Sequence, residues 1–153
     1  LEILEDAPDT VAVIAGIGLV AGVGSALKAL NPAIKVWGVE PDTAAPTARS
    51  LEMGSPQVFE GWQASFVDGA GGRSVFPRMW ERMKPVLDGC IVVSLEQTRQ
   101  AMRLLAEKSR VIAEGAGALS VAAALTGKAG QGPIVAIVSG GNVDLKKFCE
   151  LIG

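Results

Sequence analysis

An open, mainly parallel α/β sheet with helices on both faces is the fold class this sequence predicts, and three observations predict it. Short apolar segments alternate with stretches of helical periodicity along the whole chain. Those segments are apolar at successive positions, as strands covered on both faces are. Glycine-bearing turns follow them: Ala15-Gly16-Ile17-Gly18-Leu19, Glu114-Gly115-Ala116-Gly117 and Ser139-Gly140-Gly141-Asn142. A chain of 153 residues fits a single domain, 1–153, and is long enough to bury a core without a disulfide or a structural metal.

The elements follow in order. Residues 1–5 carry apolar Leu1, Ile3 and Leu4 with no helix start signal before them, so they read as the tail of a helix whose beginning lies elsewhere. A strand is expected over 10–15 and a helix over 19–30, which Asn31-Pro32 stops. Lys-Val-Trp-Gly-Val over 35–39 makes a second strand, and the three elements form a right-handed βαβ unit. Asp42 is the expected N-cap of a short helix within 43–54, and the glycine-rich stretch 55–72 is irregular, at the surface or beside a ligand. A helix over 74–84 ends before Pro85, and a third strand covers 90–93. Ser94 and Gln97 form a capping box that opens a helix reaching about Arg110. After the brief apolar 111–113, Glu114-Gly-Ala-Gly leads into a small-residue helix, 118–125. A fourth strand is expected over 133–138, and Ser139-Gly-Gly-Asn142 links it to an amphipathic helix over 144–152.

Composition narrows the function classes. The net charge of −2, without a basic run, gives no footprint for nucleic acid or for an anionic membrane surface. The longest apolar stretch, 11–29, begins as a strand and is broken by glycines, so it is neither a bilayer span nor a signal sequence. Cys90 and Cys149 lie far apart in sequence and read as reduced thiols, which fits a cytoplasmic protein. Histidine and tyrosine are absent, which removes imidazole triads, imidazole metal sites and tyrosine acid/base chemistry.

In an open α/β sheet ligands collect at the carboxyl ends of strands, where all three glycine turns stand, so the turns can face one cleft. A phosphate is held best where side chains are small and the first amides of a helix are free, which is the layout of 15–19. Gly16, Gly18 and Gly22 with Glu40, about twenty residues on, also fit a dinucleotide fingerprint. NAD, another phosphate ligand, and mere helix–sheet packing all stay open on that motif alone. Glu114 can bond a ligand or simply start a helix. The Ser139 hydroxyl can meet a ring nitrogen or simply serve a strand-to-helix turn.

Taken together, in this order and spacing, the three turns resemble those of the fold-type II pyridoxal-phosphate enzymes, specifically the serine/threonine dehydratases and serine racemases. Gly38-Val39-Glu40-Pro41 and Asp68-Gly69 agree. The resemblance covers nearly the whole chain and implies the C-terminal portion of the family's large domain, with pyridoxal phosphate as cofactor. It implies that Ala15, Gly16, Ile17, Gly18 and Leu19 wrap the phosphate with backbone amides. Ser139, with Gly140 beside it, would pair with the pyridine nitrogen, and Glu114 would sit near the cofactor on its substrate-facing side. The implied reaction is β-elimination of water from serine or threonine, a small amino acid substrate, giving a 2-oxo acid and ammonia.

Three departures from the family pattern qualify the expectation. Ala15 and Ile17 stand where members usually carry glycine, and β-branched Ile17 would weaken phosphate binding if the turn required positive φ. Glu40 and the Ala44 carbonyl match a divalent-cation site of some relatives, but Pro46 replaces its aspartate, so no metal is expected. Finally, the Ser-Phe-Lys-like segment that carries the Schiff-base lysine is absent. The lysines at 28, 35, 84, 108, 128, 146 and 147 read as surface residues away from the glycine turns. No catalytic residue is therefore expected in this chain, which should be inactive alone. Lacking the small domain, it is expected to leave apolar surface uncovered and to form a homo-oligomer or pair with a complementing N-terminal half.

Overall fold

The computed structural model describes residues 2–153, so the reading of Leu1 lies outside the described residues. Four parallel strands form one sheet in the order β3-β2-β1-β4: β1 Ala12–Gly16, β2 Lys35–Pro41, β3 Gly89–Val93 and β4 Ile134–Ala136. Strand β1 is flanked on both sides, with Ile14 opposite Trp37 of β2 and Ala136 of β4. The chain steps outward from β1 to β2 to β3, then returns to place β4 on the other side of β1. The crevice at the carboxyl ends of β1 and β4 is thus the topological switch point, where open α/β sheets take their ligands.

Alternation along β1 builds two cores. Ala12 and Ile14 point to one face, where Val39, Ile91 and Val93 meet helices α5 Leu95–Leu104, α6 Gly115–Leu125 and α7 Leu145–Ile152 through Met102, Leu119 and Phe148. Val13 and Ala15 point to the other, where Val36 meets α2 Ile17–Leu30 and α4 Pro77–Met83 through Val20, Leu27, Trp80 and Met83. Helices α1 Glu2–Asp6 and α3 Pro46–Met53 complete the set. Asp88, just before β3, fastens α2 to β2: it accepts from Lys28 Nζ at 2.7 Å, Lys35 Nζ at 3.0 Å and the Val36 amide at 2.9 Å.

The expected element order holds, with corrections at the boundaries. Helix α2 starts at Ile17 rather than Leu19, so strand passes to helix with no intervening loop. Asp42 does not cap α3. That helix starts later, at Pro46, and the Glu40 carboxylate reaches its first amides from the end of β2. Helix α4 starts at Pro77, after the chain has made a short antiparallel bridge between Val58 and Ser74. The capping box at Ser94 and Gln97 is present in both directions, but α5 ends at Leu104 and continues as a π-turn, Leu105–Ser109, closed by Arg110 at φ 58°. Helix α6 begins at Gly115, earlier than expected, with Glu114 as its N-cap residue. Strand β4 is shorter than 133–138.

Candidate functional site

Strand β1 ends at Gly16, which becomes the N-cap residue of α2 with no side chain capping the helix. The first amides of a helix have no partner within it, so those of this turn stand free to donate to a bound anion. Neither Gly16 nor Gly18 adopts positive φ, and a Cβ at either position would meet nothing within 4 Å. Neither left-handed backbone nor close helix–sheet packing therefore calls for these glycines; they leave open space above the turn. Gly38 of β2 is different, because a Cβ there would come within 2.6 Å of Ile17 Cδ1. Ile17 thus sends the end of its side chain onto Gly38 and takes ordinary helical geometry. The expected strain at Ile17 does not arise.

The space above the turn is a cavity of about 120 Å³, lined by Gly16–Leu19 together with Gly69, Ala70, Ala116 and Ser139. It brings together the turns after β1 and β4 with the start of α6. Ala15 lies beneath it, its side chain buried in the core below α2. The second and third turns lock onto each other. The Glu114 amide donates to the Gly140 carbonyl at 3.0 Å, and a Cβ at Gly117 would overlap Gly140 backbone. A Cβ at Gly140 would in turn overlap the Glu114 carboxylate, so Gly140 packs against Glu114 and does not line the cavity. Glu114 makes no side-chain cap bond to α6. Glu114 lines a neighbouring cavity with Asp68, Asn142 and Lys147. Lys147 therefore adjoins the second and third turns, contrary to the sequence reading that no lysine does.

The 3₁₀ turn Asp68–Ala70 is the part of the site that pattern reasoning left as irregular chain. It packs against α6, where a Cβ on Gly69 would come within 3.0 Å of the Ala116 methyl. The Asp68-Gly69 pair was its sequence signal. Glu40, the acidic partner of the dinucleotide reading, is 3% exposed and its carboxylate faces α3: the Thr47 amide donates to both oxygens at 2.9 and 3.0 Å, and the Ala48 amide to one at 2.9 Å. Those bonds already occupy the carboxylate that a ribose hydroxyl would need. Burial pushes the Glu40 carboxyl above its ordinary range, and the Ala48 and Thr47 amides only partly offset it. The partly buried Cys90 thiol, 3.6 Å from Glu40, is pushed well up by burial and then by that carboxylate, which disfavours its thiolate. No group of three or more potential metal-ligating His, Cys, Asp or Glu side chains occurs among the described residues. No helix among them is long and apolar enough to cross a membrane.

The sequence profile of the family described as pyridoxal-phosphate dependent enzyme matches residues 1–140. The chain belongs to this family. It is 37% identical to the L-threonine ammonia-lyase of Thermotoga maritima, over 99% of this chain and 39% of that protein. It is 34% identical to the catabolic L-threonine dehydratase TdcB of Escherichia coli K12, over 100% of this chain and 48% of that one. The chain thus spans less than half the length of these relatives. Two solved structures agree in fold: the processed form of threonine deaminase isoform 2 from Solanum lycopersicum (TM-score 0.89, 30% identity, 98% of this chain and 46% of that one), and maize serine racemase (TM-score 0.87, 31% identity, 97% and 49%). The cofactor of the pyridoxal-phosphate family fits the cavity found here: uncapped helix amides, open space where a Cβ would stand, and Ser139 in the wall.

Proposed function

We propose that this chain forms the cofactor-holding part of a lyase that removes water from a hydroxyamino acid, serine or threonine, giving a 2-oxo acid and ammonia. In this reading it is the C-terminal portion of the large domain, and the lysine that attaches the cofactor is supplied by a segment outside residues 1–153. The observation that carries the proposal is the convergence of the uncapped first turn of α2 with Ser139 at the β1/β4 switch point, in a chain of this family.

When bound, pyridoxal phosphate supplies the electron sink that makes the substrate α-carbon acidic. The chain's own residues do the rest of the positioning. The amides of Ile17, Gly18 and Leu19 would hold the phosphate, aided by the positive end of the α2 dipole. The Ser139 hydroxyl is a neutral partner for the ring nitrogen, which leaves the ring a milder electron sink than a carboxylate partner would. A milder sink would suit elimination, in which the departing group on the neighbouring carbon carries the electron pair away. Glu114, held by its amide bond to Gly140, keeps a carboxylate beside the substrate-facing side, and Gly69 and Ala116 keep the wall between them narrow.

The test is a spectral titration of the purified chain with pyridoxal phosphate, followed by borohydride reduction and peptide mapping. Saturable binding that Ser139→Ala weakens, with no reduced lysine adduct, is the expected result. A specific adduct at any lysine, Lys147 being the first to check, would overturn the assignment of that role to another segment. Dehydratase activity should appear only when a segment bearing the Ser-Phe-Lys-like sequence is added.

A further inference from the structure

Phe66 precedes the buried Val67 and the 68–70 turn, and its ring touches two helices. The Cδ2–Cε2 edge of that ring abuts the first residue of α6: a Cβ on Gly115 would come within 2.8 Å of Phe66 Cδ2 and 3.0 Å of the Phe66 carbonyl oxygen. Over the ring stands the Arg99 guanidinium of α5, 5.0 Å from the ring centre. Glu96 Oε2, one turn earlier in α5 and 3.5 Å away, holds the same guanidinium. One helix thus holds the ring against which the next helix starts.

The turn Glu114-Gly115-Ala116-Gly117 divides its glycines between two neighbours, Gly117 admitting the Gly140 backbone and Gly115 admitting Phe66. Glycine is disfavoured in a helix, so two in one turn mark two close approaches. Glu114 lies where those approaches meet. Its Oε1 overlaps the place that a Gly140 Cβ would take and lies 3.5 Å from that of a Gly69 Cβ, so the carboxylate is lodged between the 68–70 turn and the turn after β4. It makes no side-chain cap bond to α6, and packing sets its place. Gly69 and Ala116 line the cofactor cavity with Ser139. Close-packed neighbours transmit displacement rather than absorb it, so a shift of Phe66 passes through Gly115 to Glu114 on one side and Ala116 on the other.

We propose that Phe66, clamped by Arg99, is a positioning residue of the cofactor site: it fixes the start of α6 and thereby holds Glu114 and the Gly69–Ala116 wall in register with the Gly140 turn. Its effect on cofactor affinity rests on the reading of this cleft as a pyridoxal phosphate site; its hold on α6 does not.

The experiment is amide hydrogen exchange, followed by NMR on the full 153-residue chain. It is read at Glu114, whose amide donates to the Gly140 carbonyl, and at Lys35, whose amide donates to the Val11 carbonyl at the opposite end of the sheet. Arg99→Gln should speed exchange at Glu114 about fivefold, the worth of one exposed cation–π contact, and leave Lys35 unchanged. Arg99→Lys keeps the cation and should stay within about twofold of the parent chain. Phe66→Leu should speed Glu114 at least as much as Arg99→Gln does, and adding Arg99→Gln to it should change little, because the ring under the guanidinium has gone. Spectral titration of the same variants with pyridoxal phosphate should show affinity falling by about the same factor as exchange rises. No acceleration at Glu114 in Arg99→Gln would overturn the proposal, and so would equal acceleration at Glu114 and Lys35, which marks plain loss of stability. Effects of the two substitutions that multiply, an Arg99→Lys variant no better than Arg99→Gln, or cofactor affinity unchanged where Glu114 exchange is accelerated would each overturn it too. A parent chain that fails to bind pyridoxal phosphate counts against the lyase function alone, and the exchange rates then decide the role of Phe66.

Discussion

A methyl group added at Gly18 meets no atom within 4 Å, whereas one added at Gly117 overlaps the Gly140 carbonyl. Both residues lie in helices, where alanine is intrinsically favoured over glycine by about 1 kcal/mol. Gly18→Ala is therefore expected to raise stability by up to about 1 kcal/mol, read from a denaturant midpoint, and yet to weaken pyridoxal phosphate binding, because its Cβ occupies the space above the turn. Unchanged cofactor affinity in that variant would remove the phosphate from this turn. Gly117→Ala should lower stability by about 1–3 kcal/mol and disturb Ser139 through Gly140. Asp88 gives the other test at a single side chain. Burial pushes its carboxyl up, but Lys28, the Val36 amide and Lys35 outweigh that and hold it below the ordinary aspartate value. A carboxyl whose folded pKa is depressed contributes stability that is complete above the unfolded pKa and disappears as pH falls through the folded one. Asp88→Asn should thus cost about 1 kcal/mol near neutrality, and the gap to the parent chain should close in acid, below about pH 4. A gap that persists at about pH 2, below the ordinary aspartate range, would show that the charge is not what matters at this position.

Helix ends show where sequence reasoning reaches and where it stops. Ser94 and Gln97 cap α5 reciprocally, at 3.1 and 2.8 Å, and both partners lie within one turn, so the box was legible from spacing alone. Ser94→Ala should lower stability by about 1 kcal/mol, measured by denaturant unfolding. Helix α3 is capped by Glu40, seven residues before Thr47 and across the end of a strand, a partnership that only the folded sheet creates. Asp42 had the right chemistry next to the right segment, and local pattern could not tell it from a cap. The site divides the same way. The turns at 16–19, 114–117 and 139–142 were visible because strand ends and glycines coincide there, whereas the 68–70 wall is irregular chain whose place depends on packing against Ala116. Ile17 looked unfavourable only because a glycine-rich motif suggests left-handed backbone; an unbroken passage from strand to helix, with Gly38 making room below, removes that demand.

Across the molecule, several large apolar side chains are exposed. Leu19, which lines the cleft, Val138 after β4 and Ile112 before α6 are 42%, 37% and 42% exposed. Sedimentation velocity is expected to show association that grows with protein concentration; a monomer at every concentration would argue that this apolar surface is tolerated in water. A complementing segment that covers it should suppress the association as it restores activity.

The placement of β4 beside β1 also sets an order of events in folding. That ladder joins residues 12–14 to 134–136, nearly the two ends of the chain, whereas β1–β2 and β2–β3 close much shorter loops. Distant pairings carry the larger loop-closure entropy and form late. Ser139 can approach Gly16 only after this last strand has docked, so the cleft is the final feature to be assembled. In a stopped-flow refolding experiment, cofactor binding should lag behind the recovery of helical circular dichroism.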